Sequence, residues 1–129
     1  MSDKNTILIC DDEPDIVNLT KRFLKLDSFK TLTCSNGKEC LKSLEEKHNE
    51  IVLILLDLMM PGLSGFEVLR NIRSKEDYND IRVVLFTVKS FKEDIEKGKE
   101  LGADGYITKP FSGNELRDYV KKVLNRKIV

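Results

Sequence analysis

Residues 51–61 read IVLILLDLMMP, and this stretch decides the fold. Its apolar run ends in a single aspartate, Asp57, and turn residues follow at Pro61 and Gly62. An uninterrupted apolar run of this length is typical of a strand that helices cover on both faces, as in a parallel sheet. Asp57 is then predicted at the carboxyl end of a central strand, where open α/β sheets place their chemistry. Considered alone, Asp57 is equally consistent with a residue that ends the strand and caps the turn.

The rest of the chain alternates between strand and helix patterns. Short strands are predicted at 6–10, 30–35, 51–57, 81–87 and 105–109. Serine or asparagine stands three positions before a glutamate at several points, and this capping-box spacing predicts where helices begin. The residues concerned are Asn36, Ser64, Ser90 and Ser112. Strands that are each followed by a helix predict an α/β fold with a doubly wound five-stranded parallel sheet, strand order 2-1-3-4-5 and five helices.

Length and charge limit the classes of function. The chain of 129 residues is expected to form a single domain, residues 1–129, and Lys plus Arg and Asp plus Glu both total 22. This balance gives no reason to expect direct binding to nucleic acid or to a membrane surface. We expect a cytoplasmic protein because no apolar run has the length of a membrane span and the first residues are polar. Cys10, Cys34 and Cys40 lack metal-ligand spacing and are expected to be reduced thiols.

Polar side chains follow the predicted strands at one edge of the sheet. Asp11 and Asp12 follow the first strand, and Asp57 ends the third. Thr87 ends the fourth strand and Lys109 the fifth. Gathered carboxylates take up protons or hold a cation, and their oxygens suit Mg²⁺. A carboxylate nucleophile beside a hydroxyl, a lysine and a metal ion has the parts required for phosphoryl transfer.

Each of these residues also has a simpler interpretation. Asp11 and Asp12 are good helix caps, so the pair alone favours a structural role. Thr87 alone is a β-branched residue that ends a strand, and Lys109 alone is an ordinary surface lysine. The functional interpretation rests on their occurrence together around Asp57.

These motifs make the chain resemble the receiver domain of two-component response regulators, over essentially its whole length. The matching segments are CDDEP (10–14), LLDLMMPGLSG (55–65), FT (86–87) and YITKPF (106–111). The resemblance implies a flavodoxin-like fold, in agreement with the predicted strand order. It also implies that the protein is not an enzyme, apart from catalysing the transfer of a phosphoryl group to its own aspartate and the hydrolysis of that group.

The resemblance assigns roles to individual residues. It implies that Asp57 accepts the phosphoryl group, and that Thr87 and Lys109 bind the phosphoryl oxygens. The implied cofactor is Mg²⁺, bound by Asp12, Asp57 and the backbone carbonyl of Met59, with Asp11 acting through water. It further implies a cis peptide bond between Lys109 and Pro110. The phosphoryl group must come from another molecule, because His48 is the only histidine and is expected to be solvated.

A switch and a set of partners follow from the same resemblance. Tyr106 is implied to turn inward behind Thr87 on phosphorylation, although a strand tyrosine packed on the sheet is the simpler interpretation. The implied partners are a histidine kinase or phosphotransfer protein and a downstream output protein or domain, with a possible phosphorylation-linked homodimer through the face of helix 4, strand 5 and helix 5. The helix predicted from Phe91 to Leu101 is expected to be loosely held, since it offers few apolar residues to the core.

Two other functions are alternatives to a phosphorylated receiver. One is a pseudo-receiver that acts as an interaction module without phosphorylation. Another is a haloacid dehalogenase type phosphatase, which requires a second aspartate where this chain has Met59. The residue after the threonine is commonly small in receivers, and here it is Val88. Its bulk is expected to slow the approach of water to the phosphoryl group.

Overall fold

Apolar strands buried on both faces form one parallel sheet. The computed structural model describes residues 4–88 and 92–126. The strands are β1 (Thr6–Cys10), β2 (Lys30–Cys34), β3 (Ile51–Asp57), β4 (Arg82–Thr87) and β5 (Gly105–Thr108). They pair in parallel in the order β2-β1-β3-β4-β5, which confirms the predicted order. The long apolar run at 51–57 therefore lies in the centre of the sheet.

Helices cover both faces of this sheet and bury two separate cores. The helices are α1 (Pro14–Leu26), α2 (Gly37–Lys47), α3 (Gly65–Arg73), α4 (Lys92–Glu100) and α5 (Gly113–Arg126). Leu24 of α1 and Val120 of α5 belong to the core on one face. Leu44 of α2 and Val68 of α3 belong to the core on the other face. Within the described part of the chain, no helix combines the length and apolar character needed to cross a bilayer.

Side-chain caps start most of the helices where the sequence predicted them. Both halves of the capping box form in two pairs, Ser64 with Glu67 and Ser112 with Glu115. Asn36 accepts a hydrogen bond from the Glu39 N–H at 2.9 Å, but the Glu39 carboxylate accepts from Ser35 instead of closing the box. The cap predicted at Ser90 lies outside the described residues.

Helix α4 has little buried surface. Gly98 is its fully buried residue, and a Cβ there would lie 2.6 Å from Leu85, so the helix backbone packs directly on β4. The helix ends before Gly102, whose φ of 101° is readily adopted by glycine, as the sequence predicted. Phe91, a predicted core contact of this helix, lies outside the described residues. The loose packing expected of this helix therefore stays a prediction.

The prediction that His48 is solvated was wrong. Its Nδ1 lies 3.1 Å from the Leu44 carbonyl oxygen, and its ring packs at 5.3 Å between centroids on Tyr78. The ring is half-buried because the short 3-10 turn Glu76–Tyr78 returns against the end of α2. A contact between segments this far apart in sequence cannot be predicted from the polar residues next to His48.

Arg73 at the end of α3 connects the amino ends of β4 and β5. Its guanidinium donates to three backbone carbonyls and to one carboxylate. The acceptors are Gly102 at 2.9 Å, Tyr78 at 3.2 Å, Ile81 at 2.8 Å and Asp104 at 3.0 Å. Asp104 in turn accepts from the backbone N–H of Val83 at 2.8 Å. The planar guanidinium can satisfy this many acceptors at once, which a lysine cannot.

Replacing Arg73 is expected to destabilise the whole domain. Arg73→Met keeps most of the apolar stem but leaves several half-buried acceptors without a donor, so the free energy of unfolding should fall by about 2–4 kcal/mol. Arg70→Met, on the exposed side of the same helix, should change it by less than about 0.5 kcal/mol. Urea unfolding of both variants measures the difference, and equal losses would show that the network contributes little.

Candidate functional site

The carboxyl edge of the sheet brings the predicted site residues together. Cys10 of β1 is paired with Leu56 of β3. The residues that follow them, Asp11 and Asp57, therefore lie at the same level of the sheet. Thr87 of β4 is paired with Thr108 of β5, so the next residue, Lys109, lies one position beyond the level of Thr87. Four of the predicted polar residues are buried, although charged side chains are rarely buried unless they are paired. They are Asp11, Asp57, Thr87 and Lys109.

The Lys109 ammonium lies among several carboxylates. Its Nζ is 2.6 Å from Asp11 Oδ2, 3.6 Å from Asp57 Oδ2 and 3.2 Å from Glu13 Oε1. Burial alone would lower the pKa of Lys109, but the hydrogen bond to Asp11 and the charge of Asp57 raise it above its ordinary value. Lys109 therefore carries its positive charge at neutral pH. The Lys109–Pro110 peptide bond is cis, which confirms that prediction.

The Asp57 carboxyl is hard to ionise without a further cation. Burial and the neighbouring Asp11 charge raise the pKa of Asp57 to about 7, against the lowering effect of the Met59 N–H and the Lys109 charge. The Met59 N–H donates to Asp57 Oδ1 at 3.1 Å. This hydrogen bond leaves Oδ2 of the same carboxylate facing Lys109. One oxygen of Asp57 is thus anchored to the backbone, and the other lies in the charged pocket.

Acidic side chains of this edge form a group that suits a hard divalent cation. One oxygen from each of Asp11, Asp12, Glu13 and Asp57 lies within 4.8 Å of the others. One lysine leaves negative charge in excess there, and carboxylate oxygens are the donors that Mg²⁺ takes. The helix cap considered at Asp11 and Asp12 does not form, since the N-cap position of α1 is Glu13. Asp11 still has a structural role, because its Oδ1 accepts from the Glu13 N–H at 2.9 Å in the turn before the helix. The structural and the metal-binding interpretations of Asp11 are therefore compatible.

Glu13 is the member of this group that the sequence analysis missed. It stands directly after Asp12 in the CDDEP segment, in front of Pro14. In the structure it occupies the N-cap position of α1 without a side-chain capping hydrogen bond, and its carboxylate lies 3.2 Å from the Lys109 Nζ. An acid next to two predicted ligands was the available signal.

The turn after β3 is held tightly against the site. The Gly65 N–H donates to the Leu58 carbonyl at 3.1 Å. A Cβ on Gly65 would lie 2.6 Å from the Asp57 carbonyl oxygen and 2.8 Å from Leu58 Cα, which are backbone atoms that cannot move aside. Only glycine therefore allows α3 to begin this close to the strand that carries Asp57.

The side chains predicted to act in a switch lie at the border of the site. Tyr106 is 36% exposed, and its N–H donates to the Tyr119 hydroxyl at 3.1 Å. The pairing of Leu85 with Tyr106 and of Thr87 with Thr108 puts Tyr106 and Thr87 on the same face of the sheet. Val88 is 59% exposed and lines a cavity of about 430 Å³ together with Thr87 and Met59.

Fold and site together define the class of protein: a doubly wound α/β domain with an acidic pocket and a buried lysine at the carboxyl edge of its sheet. The sequence pattern of the response regulator receiver domain matches residues 7–121. The chain belongs to this family, whose members are phosphoryl-accepting signalling modules of two-component systems. The resemblance stated from the motifs is thereby confirmed.

Relatives with known names agree with this assignment. The alkaline phosphatase synthesis transcriptional regulatory protein PhoP of Bacillus subtilis is 39% identical over 93% of this chain and 48% of its own length. The regulatory protein VanR of Enterococcus faecium is 40% identical over 98% of this chain and 52% of its own length. The chain spans about half the length of these relatives.

Solved structures show the same fold. The chemotaxis response regulator CheY4 of Vibrio cholerae superposes with a TM-score of 0.86 at 25% identity, covering 92% of this chain and 97% of that one. The receiver domain of a signal transduction histidine kinase from Syntrophus aciditrophicus superposes with a TM-score of 0.84 at 31% identity, covering 94% and 90%.

Removing the Asp57 charge is expected to stabilise the metal-free protein. Because the pKa of Asp57 rises from 3.8 to about 7 on folding, the folded state holds the extra proton between these values, and stability falls as pH rises through this window. At about pH 8 with a chelator present, Asp57→Asn should be more stable than the wild type by about 1–3 kcal/mol. The difference should vanish near pH 4 in urea unfolding experiments.

Asp15→Asn provides the matched control, because Asp15 is an exposed acid of α1. Because this variant retains Asp57, the difference in unfolding free energy between Asp15→Asn and the wild type should stay nearly constant with pH. A gain in Asp57→Asn that is equal at all pH values would contradict the electrostatic origin of the effect.

Proposed function

We propose that Asp57 accepts a phosphoryl group from the phosphohistidine of a histidine kinase or phosphotransfer protein. The observation that carries this proposal is a buried carboxylate held 3.6 Å from a buried lysine within a group of acids, in a chain of the receiver family. Asp57 Oδ2 forms the new bond to phosphorus while the bond from phosphorus to the donor imidazole breaks. The imidazole leaves with the electron pair of that bond.

Positive and hydrogen-bonding groups around Asp57 stabilise the charge that spreads over the phosphoryl oxygens. Lys109 supplies a fixed charge, and Thr87, at the end of the adjacent strand, supplies a hydroxyl. Mg²⁺ would be held by Asp12, Asp57 and the Met59 carbonyl, with Asp11 acting through water, and would neutralise phosphoryl oxygens. The excess of acids over lysine in the pocket supports this assignment.

We propose that phosphorylation changes the face formed by α4, β5 and α5. Tyr106 is half-exposed on the same face of the sheet as Thr87, so movement of Thr87 toward the phosphoryl group opens space into which the tyrosine turns. The weakly buried α4 lies beside them and is suited to shift with them. This face then controls a downstream output protein or domain, and it is the surface for a phosphorylation-linked homodimer.

The remaining features of the proposal concern context. Residues 1–129 form one receiver domain that acts in the cytoplasm as a signalling module, with no reaction beyond its own phosphorylation and dephosphorylation. Its equal totals of 22 basic and 22 acidic residues give no charge of the kind that binds nucleic acid or an anionic membrane directly.

The intact mass of the protein after incubation with a small-molecule phosphodonor tests the proposal. The wild type should gain the mass of one phosphoryl group in the presence of Mg²⁺ and lose the gain when Mg²⁺ is chelated. Asp57→Asn should show no gain, while Asp15→Asn, at an exposed acid outside the pocket, should behave as the wild type.

Other outcomes of the mass experiment have distinct meanings. No adduct on the wild type, with a chemotaxis-type receiver labelled in parallel as a positive control, would replace the proposal by a pseudo-receiver that acts as an interaction module. An adduct on Asp57→Asn would show that a different residue is the acceptor.

Val88 is expected to lengthen the lifetime of the phosphorylated state. Its side chain lines the cavity of about 430 Å³ beside Thr87 and restricts the approach of water. Val88→Ala should shorten the lifetime by up to about tenfold, equivalent to about 1.4 kcal/mol in the barrier. Val88→Ile keeps the bulk and serves as the control, and phosphate release from both is followed by time-resolved intact mass. An unchanged lifetime in Val88→Ala would remove this role.

A further inference from the structure

Three cysteines that phosphoryl transfer does not use lie together beneath the site. Cys10 ends β1, Cys34 ends the neighbouring β2, and Cys40 is in the first turns of α2. Cys10 and Cys34 are paired in register, so their side chains point to the same face, toward α2. All three sulfur atoms lie within 4.8 Å of one another. We call these residues the thiol cluster.

A fourth sulfur atom adjoins the thiol cluster. Met60 Sδ lies 3.6 Å from Cys10 Sγ, and the Cys10 thiol donates to the Asn36 carbonyl oxygen at 3.4 Å. The three cysteines and Met60 all belong to the same buried core, whose other members are almost entirely apolar. Sulfur atoms are therefore the main potential metal ligands in this part of the core.

We propose that the thiol cluster, with Met60, binds one soft monovalent d¹⁰ metal ion, Cu(I). Soft sulfur ligands suit Cu(I), Zn²⁺ and iron–sulfur clusters. Among these, Cu(I) fits the thioether of Met60, whereas Zn²⁺ sites take thiolate, imidazole and carboxylate ligands. Each cysteine that binds the ion does so as a thiolate and releases its thiol proton to solvent. No electron is transferred.

The spacing of the sulfurs suits such an ion with small movements. Three sulfurs at about 2.3 Å from a central metal lie about 4 Å apart in a trigonal plane. The observed separations are at most 4.8 Å, so each pair of sulfurs has to approach by less than about 1 Å to reach this geometry. The weak bond from Cys10 to the Asn36 carbonyl is lost when Cys10 binds the ion.

A route for the ion leads from the acidic edge of the sheet. Cys34 is 7% exposed and forms part of the wall of a cavity of about 280 Å³. The same wall includes the carboxylate residues Asp11, Asp12 and Glu39, which attract cations to the entrance. The site thus has a donor set of one chemical type and an entry path, which are two requirements for a metal site.

Titration of the reduced full chain with Cu(I) under anaerobic conditions, against a colorimetric Cu(I) chelator, tests the proposal. The wild type should retain one ion per chain, and X-ray absorption at the copper edge should show a first shell of sulfur only. This spectrum requires no variant, so it is decisive even if substitutions in the core unfold the protein.

Variants locate the site. Cys34→Ala and Cys40→Ala, checked for folding by thermal melting, should weaken binding by at least roughly 100-fold, beyond the 10–100-fold typical for residues that only orient a ligand. Met60→Leu should weaken it less, and Met59→Leu, on an exposed neighbour, should leave it unchanged. Asp57→Asn should also bind normally, which separates this site from the one for phosphoryl transfer.

Several results would overturn the proposal. They are the absence of chelator-resistant copper on the wild type, oxygen or nitrogen in the first shell, and equal binding by Cys40→Ala. Tight binding of Zn²⁺ but not of Cu(I) would show that the ion is wrongly chosen. Loss of two hydrogens by mass under mild oxidation, with no copper binding, would identify the cluster as a disulfide site instead.

Discussion

The site depends on one buried ammonium group that faces several carboxylates. Lys109 lies within 3.6 Å of Asp11, Glu13 and Asp57, and it offsets part of the cost of burying their charges. Burial is the main cause of the raised pKa of Asp57, and the neighbouring Asp11 charge adds to it against the opposing charge of Lys109. A cation bound among these acids would offset their repulsion and favour the ionised Asp57 that the proposed phosphoryl transfer requires.

The sheet brings these charged side chains together because its strands are parallel and their carboxyl ends lie at one edge. The opposite edge needs a different kind of support, and there Arg73 and Asp104 hold the starts of β4 and β5 through hydrogen bonds to their backbone. Gly65 keeps α3 against the strand that carries Asp57. Helix α4 has fewer such contacts, since Gly98 is its buried residue, and the proposed switch depends on this difference.

Much of this could be predicted from local patterns. The apolar run at 51–57 predicted a central strand, and the capping signals at Ser64 and Ser112 predicted where helices begin, because both depend only on neighbours in sequence. Glu13 was missed, since its place beside Lys109 depends on how α1 leaves β1. His48 was wrongly expected in solvent, since its contact with Tyr78 joins segments that local polarity cannot relate.

The strand order, the residues at the strand ends and the family could be predicted from the sequence alone. Periodicity, helix caps and motifs each depend only on short stretches of chain. Away from the strand ends, only the tertiary structure decided which distant side chains meet. Cys10, Cys34 and Cys40 looked unrelated by spacing, but parallel register and the rotation of α2 bring their sulfurs together. Register and helix rotation are set by packing of the whole core, so no local pattern specifies such a contact.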